Sequence, residues 1–168
     1  MIVGRSELLK MITGKPPLIE DFVELELQLQ PAGFDLTLRE VRAFRDSGYI
    51  DLSNERRRIS ETMLLPFDDR GRVHLPKGAY LVVFNEKLNL PLDVAAIARP
   101  RSSLIRSGAT VETAVWDPGY RGRSKALLLV FNESGITLER NARLVQLVFL
   151  RVTGDVVKGY DGVFQGEL

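Results

Sequence analysis

The sequence predicts an all-β fold, a β-barrel of distorted jelly-roll type preceded by one short helix. Two observations carry this. From about residue 31 almost to the end, short runs rich in β-branched and apolar residues follow one another. Turn-like stretches bearing Gly or Pro, "PKGAY", "NLPLD", "DPGYRG" and "ESG", separate them at regular spacing. There is no internal repeat and no low-complexity linker, and 168 residues suit one domain with a real core. A single domain over 1–168 is expected, with about 155–168 as a flexible tail.

The elements read in order as follows. Ser6 is placed to cap a helix over "SELLKMIT", which Gly14 and the pair Pro16-Pro17 stop. In "VELELQL", Val23, Leu25, Leu27 and Leu29 alternate with Glu24, Glu26 and Gln28, a period of two that predicts a half-buried strand. Pro31 and Gly33 in "QPAGFDLTL" mark a bend before another short strand. The runs "RVHL", "AYLVVFNE", "LDVAAIA", "ATVETAVW", "KALLLVFN", "ITLE" and "RLVQLVFLRV" are the remaining strands. One interior piece, "SSLIRSG", suits a helical turn, with Ser102 to cap it and Gly108 to end it. The final "KGYDGVFQGEL" is Gly-rich, carries two aromatics and has no apolar period, so it reads as mobile.

Composition narrows the function. Lys plus Arg is 23 against 22 for Asp plus Glu, a net charge of +1, so nothing points to a bulk nucleic-acid binder and any anion site must be local. There is no cysteine, which removes disulfides, thiolate metal sites and a Cys nucleophile. His74 is the only histidine and reads as a surface strand residue, so a His-rich metal site is not expected. No apolar run approaches a membrane span, and the N-terminus lacks the apolar stretch of a signal peptide; a cytoplasmic protein is expected.

Four polar clusters interrupt the apolar background: Gly33-Phe34-Asp35, Arg101-Ser102-Ser103 with Arg106, Asp117 with Tyr120, and Arg143 with Gln146. Hydroxyls beside an Arg fork suit phosphate oxygens, although "RSSL" also reads as a plain capped turn. Asp117 follows Val115 and Trp116 and precedes Pro-Gly. In a half-buried pocket at a strand end it would serve as a general base; equally, Asp before Pro-Gly starts a turn. Tyr120 reads as a packing residue or as a ring that stacks on a sugar or base. Gln146 sits in an apolar strand, where an amide must find partners in the protein or on a ligand. The run Arg56-Arg57-Arg58 reads as a solvated loop or a subunit contact.

Taken in order, "PAGFDL", "RSSLIRSG", "AVWDPGYRG", "RLVQLVF" and the Gly-rich aromatic tail resemble the dUTPase and dCTP deaminase superfamily, from about Pro31 to the C-terminus. The N-terminal helix and the wording "QPAGFDL" are most similar to the archaeal-type dUTPase branch of the deaminases. The resemblance implies a jelly roll that assembles as a homotrimer with active sites at subunit interfaces. It also implies Mg²⁺ bound mainly through the substrate triphosphate. For the residues it implies Asp117 as the base that activates water for attack on the α-phosphate of dUTP, giving dUMP and pyrophosphate. Arg101, Ser102 and Ser103 would bind phosphates from a neighbouring subunit, with Arg106 adding charge. Gln146 would bond a phosphate oxygen, Tyr120 would pack on the deoxyribose, and Asp35 would support the site. The hairpin containing Thr113 would read the pyrimidine, and Phe164 in the tail would cover the nucleotide. The tail departs from the longer Gly-rich motif with an Arg that dUTPases usually carry.

The deaminases of this superfamily need a further Glu in the strand after the Asp motif. In "SKALLLVFN" that position falls on Leu129 counting back from Phe131-Asn132 and on Leu127 counting forward from Asp117. A leucine cannot transfer a proton, so dUTP hydrolysis is the expected activity. Deamination of dCTP, alone or in a bifunctional deaminase-dUTPase, is the alternative, with Glu112 or Glu133 as its acid and Glu112 the one to test, and a non-catalytic nucleotide-binding module is a third reading.

Overall fold

The computed structural model describes residues 1–168. In chain order the elements are α1 (Arg5–Ile12), β1 (Ile19–Glu20), α2 (Leu25–Gln28), β2 (Leu29–Gln30), β3 (Gly33–Phe44), β4 (Thr62–Leu65), β5 (Arg72–Leu75), β6 (Gly78–Asn89), β7 (Val94–Pro100), α3 (Ser102–Arg106), β8 (Ala109–Glu112), β9 (Arg121–Val130), β10 (Ile136–Glu139) and β11 (Arg143–Arg151). Nine strands form one sheet ordered β7-β11-β3-β6-β9-β8, with β1 on β6 and both β2 and β4 on β3; β5 and β10 pair separately. The edges of the main sheet come together beyond the end of β8. There Ala96 of β7 and Trp116 exchange backbone hydrogen bonds of 2.9 and 3.0 Å, which leaves a nearly closed barrel. The chain is all-β in class, and no helix is long and apolar enough to cross a membrane.

Strand alternation fills the barrel. On β9, Ala126, Leu128 and Val130 are buried, whereas Lys125, Leu127 and Leu129 lie on the other face. On β11, Val145, Leu147 and Phe149 point inward, and Phe34, Phe84 and Phe149 are among the largest fully buried side chains. Gly33 is required by proximity. A Cβ there would collide with the Leu147 carbonyl oxygen of β11 and press on the Gln146 side chain.

Three local expectations fail for identifiable reasons. Helix α1 begins earlier than a Ser6 cap allows: Gly4 is its N-cap, no side chain caps it, and Ser6 lies inside. The alternating run Val23–Leu29 is not a strand; Leu25–Gln28 forms a helical turn and only Leu29–Gln30 pairs, with β3. The cause is Gln28, read as an outward polar residue but in fact buried. Its Oε1 accepts from the N–H groups of Val23 and Glu24 at 2.7 and 2.8 Å, and its Nε2 donates to Asp35 O and Glu86 Oε1 at 2.8 and 2.6 Å. These bonds replace strand ladder bonds, and the local pattern yields to them. Likewise "ATVETAVW" is a strand only through Glu112; Thr113–Val115 leave the ladder before Trp116 bridges to β7.

Register shifts on β3–β11, β3–β6 and β6–β9 shape the sheet, and the last organises a buried polar cluster. Between Val83 and Lys87 the β6–β9 ladder is interrupted, and the buried Arg123 fills the gap. Its guanidinium donates to Phe84 O at 3.2 Å and to Asn85 O, and pairs with Asp21 at 2.9 Å. Glu86, on the other side of the bulge, accepts from Gln28, from Thr37 Oγ1 at 2.5 Å and from Thr37 N–H at 2.9 Å. Burial pushes the Glu86 carboxyl above its ordinary range, against the Thr37 hydrogen bonds. A raised native value favours the neutral form, so its contribution is full at low pH and is lost as pH rises through that value. Compared with Glu86→Gln, which does not titrate, the wild-type protein is expected to lose relative stability as pH increases from 4 to 8. Urea midpoints at a series of pH values check this; a gap independent of pH contradicts it.

Candidate active site

Strand β7 carries the two halves of the candidate site at its two ends. At the far end Arg101 caps α3, and its N–H bonds Leu144 O of β11 at 2.9 Å. The Arg101 guanidinium lies 3.3 Å from Asp35 on β3, and Arg143 of β11 lies 3.2 Å from the same carboxylate oxygen. Arg143 also donates to Leu27 O at 2.6 Å. Asp35 is 1% exposed. Burial raises its carboxyl above the usual range while Arg101 and Arg143 pull the other way. Gln146 stands beside them, opposite Asp35 on one side of the ladder and Arg99 on the other, half-buried against Gly33. Three of the four sequence clusters therefore converge: "AGFD", "RSS" and the Arg143–Gln146 strand meet where β3, β11 and β7 run together.

Around this carboxylate the polar surface is open. Ser102, Ser103 and Arg106 are exposed on α3, while Leu104 anchors the turn in the core. Ser102 does not cap the helix, since no side-chain cap bond forms and Arg101 occupies the cap position. The hydroxyls are thereby left uncommitted to the helix, and Gly108 takes a left-handed conformation just beyond it (φ 76°).

The near end of β7 holds Asp117. Trp116 is buried, bonded to Ala96 and donating Nε1–H to Ser124 Oγ at 2.6 Å. Asp117 follows it and is exposed rather than half-buried in this chain. The turn closes with Tyr120 N–H bonding Asp117 O at 3.1 Å. Tyr120 is buried, edge-on to Tyr160 at 5.5 Å, and burial raises its hydroxyl. Thr113, half-buried, lies in the segment between β8 and this turn. Glu112, exposed on β8, stands directly opposite Leu127, and Thr110 opposite Leu129. The two positions that would need an acid for deamination thus hold hydrocarbon on the outward face of β9.

Asp117 and Arg101 do not meet in one chain. Trp116 pairs with Ala96, and Arg101 is five residues further along β7, roughly 16 Å of strand. The tail expected to be mobile lies along residues 118–125, and Phe164 sits 5.8 Å from the Arg57 guanidinium in the loop between β3 and β4. Sequence reasoning passed over Gln28 and Glu86, which hold Asp35's strand, and Gln165, which touches the Asp117 turn. Gln28 and Glu86 are buried, which a polar residue in an alternating or strand-like run does not announce, and Gln165 is exposed in a tail with no apolar period, so no local signal marks any of the three.

A family model described as dCTP deaminase-like matches residues 2–152. The chain belongs to the dCTP deaminase-like family. Among relatives of this family, a probable deoxyuridine 5'-triphosphate nucleotidohydrolase of Archaeoglobus fulgidus is 50% identical over 99% of this chain and 96% of its own length. A protein of the same name from Methanosarcina mazei is 48% identical over 99% of this chain and 97% of its own. The crystal structure of the 2'-deoxycytidine 5'-triphosphate deaminase of Agrobacterium tumefaciens superimposes with a TM-score of 0.64 at 23% identity, covering 88% of this chain and 47% of that one, which establishes the shared fold.

Removing Asp35 would leave two guanidiniums facing each other at the junction of three strands. Asp35→Ala is expected to cost about 1–3 kcal/mol of stability, the penalty for unpairing charged groups that water can still partly reach. Chemical denaturation measures it, and a cost under about 1 kcal/mol would show that water serves both arginines.

Proposed function

We propose that the protein is a dUTP nucleotidohydrolase, converting dUTP to dUMP and pyrophosphate. The observation that carries this is chemical. An exposed carboxylate, Asp117, closes the β8–β9 connection, while Leu127 and Leu129 on the neighbouring strand offer no group that could move a proton at a base. The nearly full-length relatives at 48% and 50% identity carry the nucleotidohydrolase name, in agreement with it.

In this reading Asp117 accepts a proton from water as the water oxygen attacks the α-phosphorus. The bond from that phosphorus to the bridging oxygen breaks, and pyrophosphate leaves. Arg101, Ser102, Ser103 and Arg106 bind the phosphates with Gln146, and Asp35 orients Arg101. Tyr120 packs against the deoxyribose, Thr113 lies at the pyrimidine, and Phe164 closes over the nucleotide. The chain has no group of three or more His, Asp or Glu side chains that could hold a metal ion, so Mg²⁺ would be carried mainly by phosphate oxygens and water. When bound it supplies charge neutralisation to the triphosphate.

The separation of Asp117 from Arg101 supports a site built from two copies of a jelly-roll chain, as in a homotrimer. A cytoplasmic location belongs to the same proposal, since the substrate is a free nucleotide. A specific observation also favours testing dCTP deamination: Glu112 is the cross-strand neighbour of Leu127, which places a carboxylate beside that position.

Incubation with dUTP, dCTP and dTTP plus Mg²⁺, followed by separation of the products, decides between these activities. Pyrophosphate and dUMP from dUTP are expected; ammonia from dCTP that disappears in Glu112→Gln would favour the deaminase, and tight dUTP binding without turnover a binding module. Asp117→Asn is expected to lower kcat by about 10²–10⁴-fold, and turnover near the wild-type level would reject Asp117 as the base. Mixing the inactive variants Asp117→Asn and Arg101→Ala tests the shared site. Co-refolded subunits are expected to recover a fraction of activity that neither variant has alone, and no recovery would argue that each chain carries a whole site.

A further inference from the structure

The last residues of the chain run parallel to the segment that follows Asp117. Tyr160 N–H bonds Pro118 O at 2.8 Å, Gly166 N–H bonds Arg121 O at 2.8 Å, and Arg123 N–H bonds Glu167 O at 2.7 Å. Between these backbone bonds lies a side-chain pair. Gln165 Oε1 accepts from Arg121 N–H at 2.8 Å, and Gln165 Nε2 donates to Gly119 O at 2.9 Å. One amide thus takes both free backbone groups flanking Tyr120, as a paired strand would.

The glycines of "DPGYRG" make this contact possible. A Cβ on Gly119 would stand 2.9 Å from Gly159 Cα, and one on Gly122 2.9 Å from Glu167 O. Both glycines have positive φ, 83° and 145°. The other side of the turn is held by Leu90, whose N–H bonds Tyr120 O at 2.9 Å and whose O accepts from Gly119 N–H at 3.2 Å. The turn bearing Asp117 is therefore gripped from two sides, by a strand end and by a tail amide.

We propose that Gln165 is a positioning residue for the reaction: its amide fixes the Gly119–Arg121 backbone and so the direction in which Asp117 points. This rests on the dUTP nucleotidohydrolase reading. The role differs from covering a nucleotide, because Gln165 contacts the loop of its own chain. Releasing one side of the turn lets the carboxylate wander, and small misplacements of a reacting group lower the chemical step without weakening ground-state binding.

Two variants test it: Gln165→Met, which keeps length and removes both hydrogen bonds, and a chain ending at Val157, which removes the tail. Two measurements are made on each. The first is amide exchange over 117–121 together with Trp116 emission, without nucleotide; the second is steady-state hydrolysis of dUTP. For Gln165→Met the expected result is faster exchange at Arg121, a thermal midpoint near wild type, kcat lowered by about tenfold or more, and KM changed less than about threefold. The truncated chain should exchange at least as fast. A rise in KM at constant kcat would overturn the proposal in favour of a nucleotide contact, and unchanged exchange would overturn it outright. If the wild-type protein does not hydrolyse dUTP, the functional reading and the catalytic part of this proposal fall together, while the exchange result still decides whether Gln165 holds the turn.

Discussion

Two backbone hydrogen bonds between Ala96 and Trp116 fix where chemistry can occur on this barrel. They draw the edge strands together, seat the only Trp in the core, and leave the next residue, Asp117, facing outward at the start of β7. The same strand delivers Arg101 to its other end. Strand rise then separates carboxylate and cations by a distance that no side-chain rotamer removes. Both halves of the proposed site are thus rigidly placed and complementary, but each belongs to a different end of one strand.

The cationic half depends on a buried charge cluster that is costly taken alone. Placing a carboxylate at 1% exposure would be prohibitive without partners, and even paired buried charges seldom add net stability. Asp35 has two, and its strand is further held by Gln28, which links it to Glu86 and the turn before β2. Such a cluster gives up stability for direction: Arg101 is held by its stem and its head before any anion arrives.

Much of this was legible in the sequence, for physical reasons. Strands such as "KALLLVFN" alternate faithfully because one face fills the barrel, and Gly33 announces a close backbone approach by lacking a Cβ. The motif order located Asp35, Arg101, Asp117 and Gln146, three of which the fold draws to one junction. What failed did so where a long-range partner overrides a local pattern. Val23–Leu29 has the period of a strand, but the bonds of Gln28 to residues 7 and 58 positions away decide its conformation. The tail lacks apolar periodicity because it docks through backbone and amide groups, which leave no hydrophobic signature to read.

The interruption between Val83 and Lys87 bears on which side chain the fold needs at position 123. There the sheet is stitched by a side chain: Arg123 reaches the Phe84 and Asn85 carbonyls and the Asp21 carboxylate at once. A planar fork presents its donors in fixed, spread directions, whereas an ammonium offers three donors from a single point on a flexible stem. A lysine at position 123 would keep the charge beside Asp21 and give up the fixed fork that reaches both carbonyls. Exposed cations such as Arg70 and Arg106 carry no such obligation to the backbone and are free to drift as far as the fold is concerned.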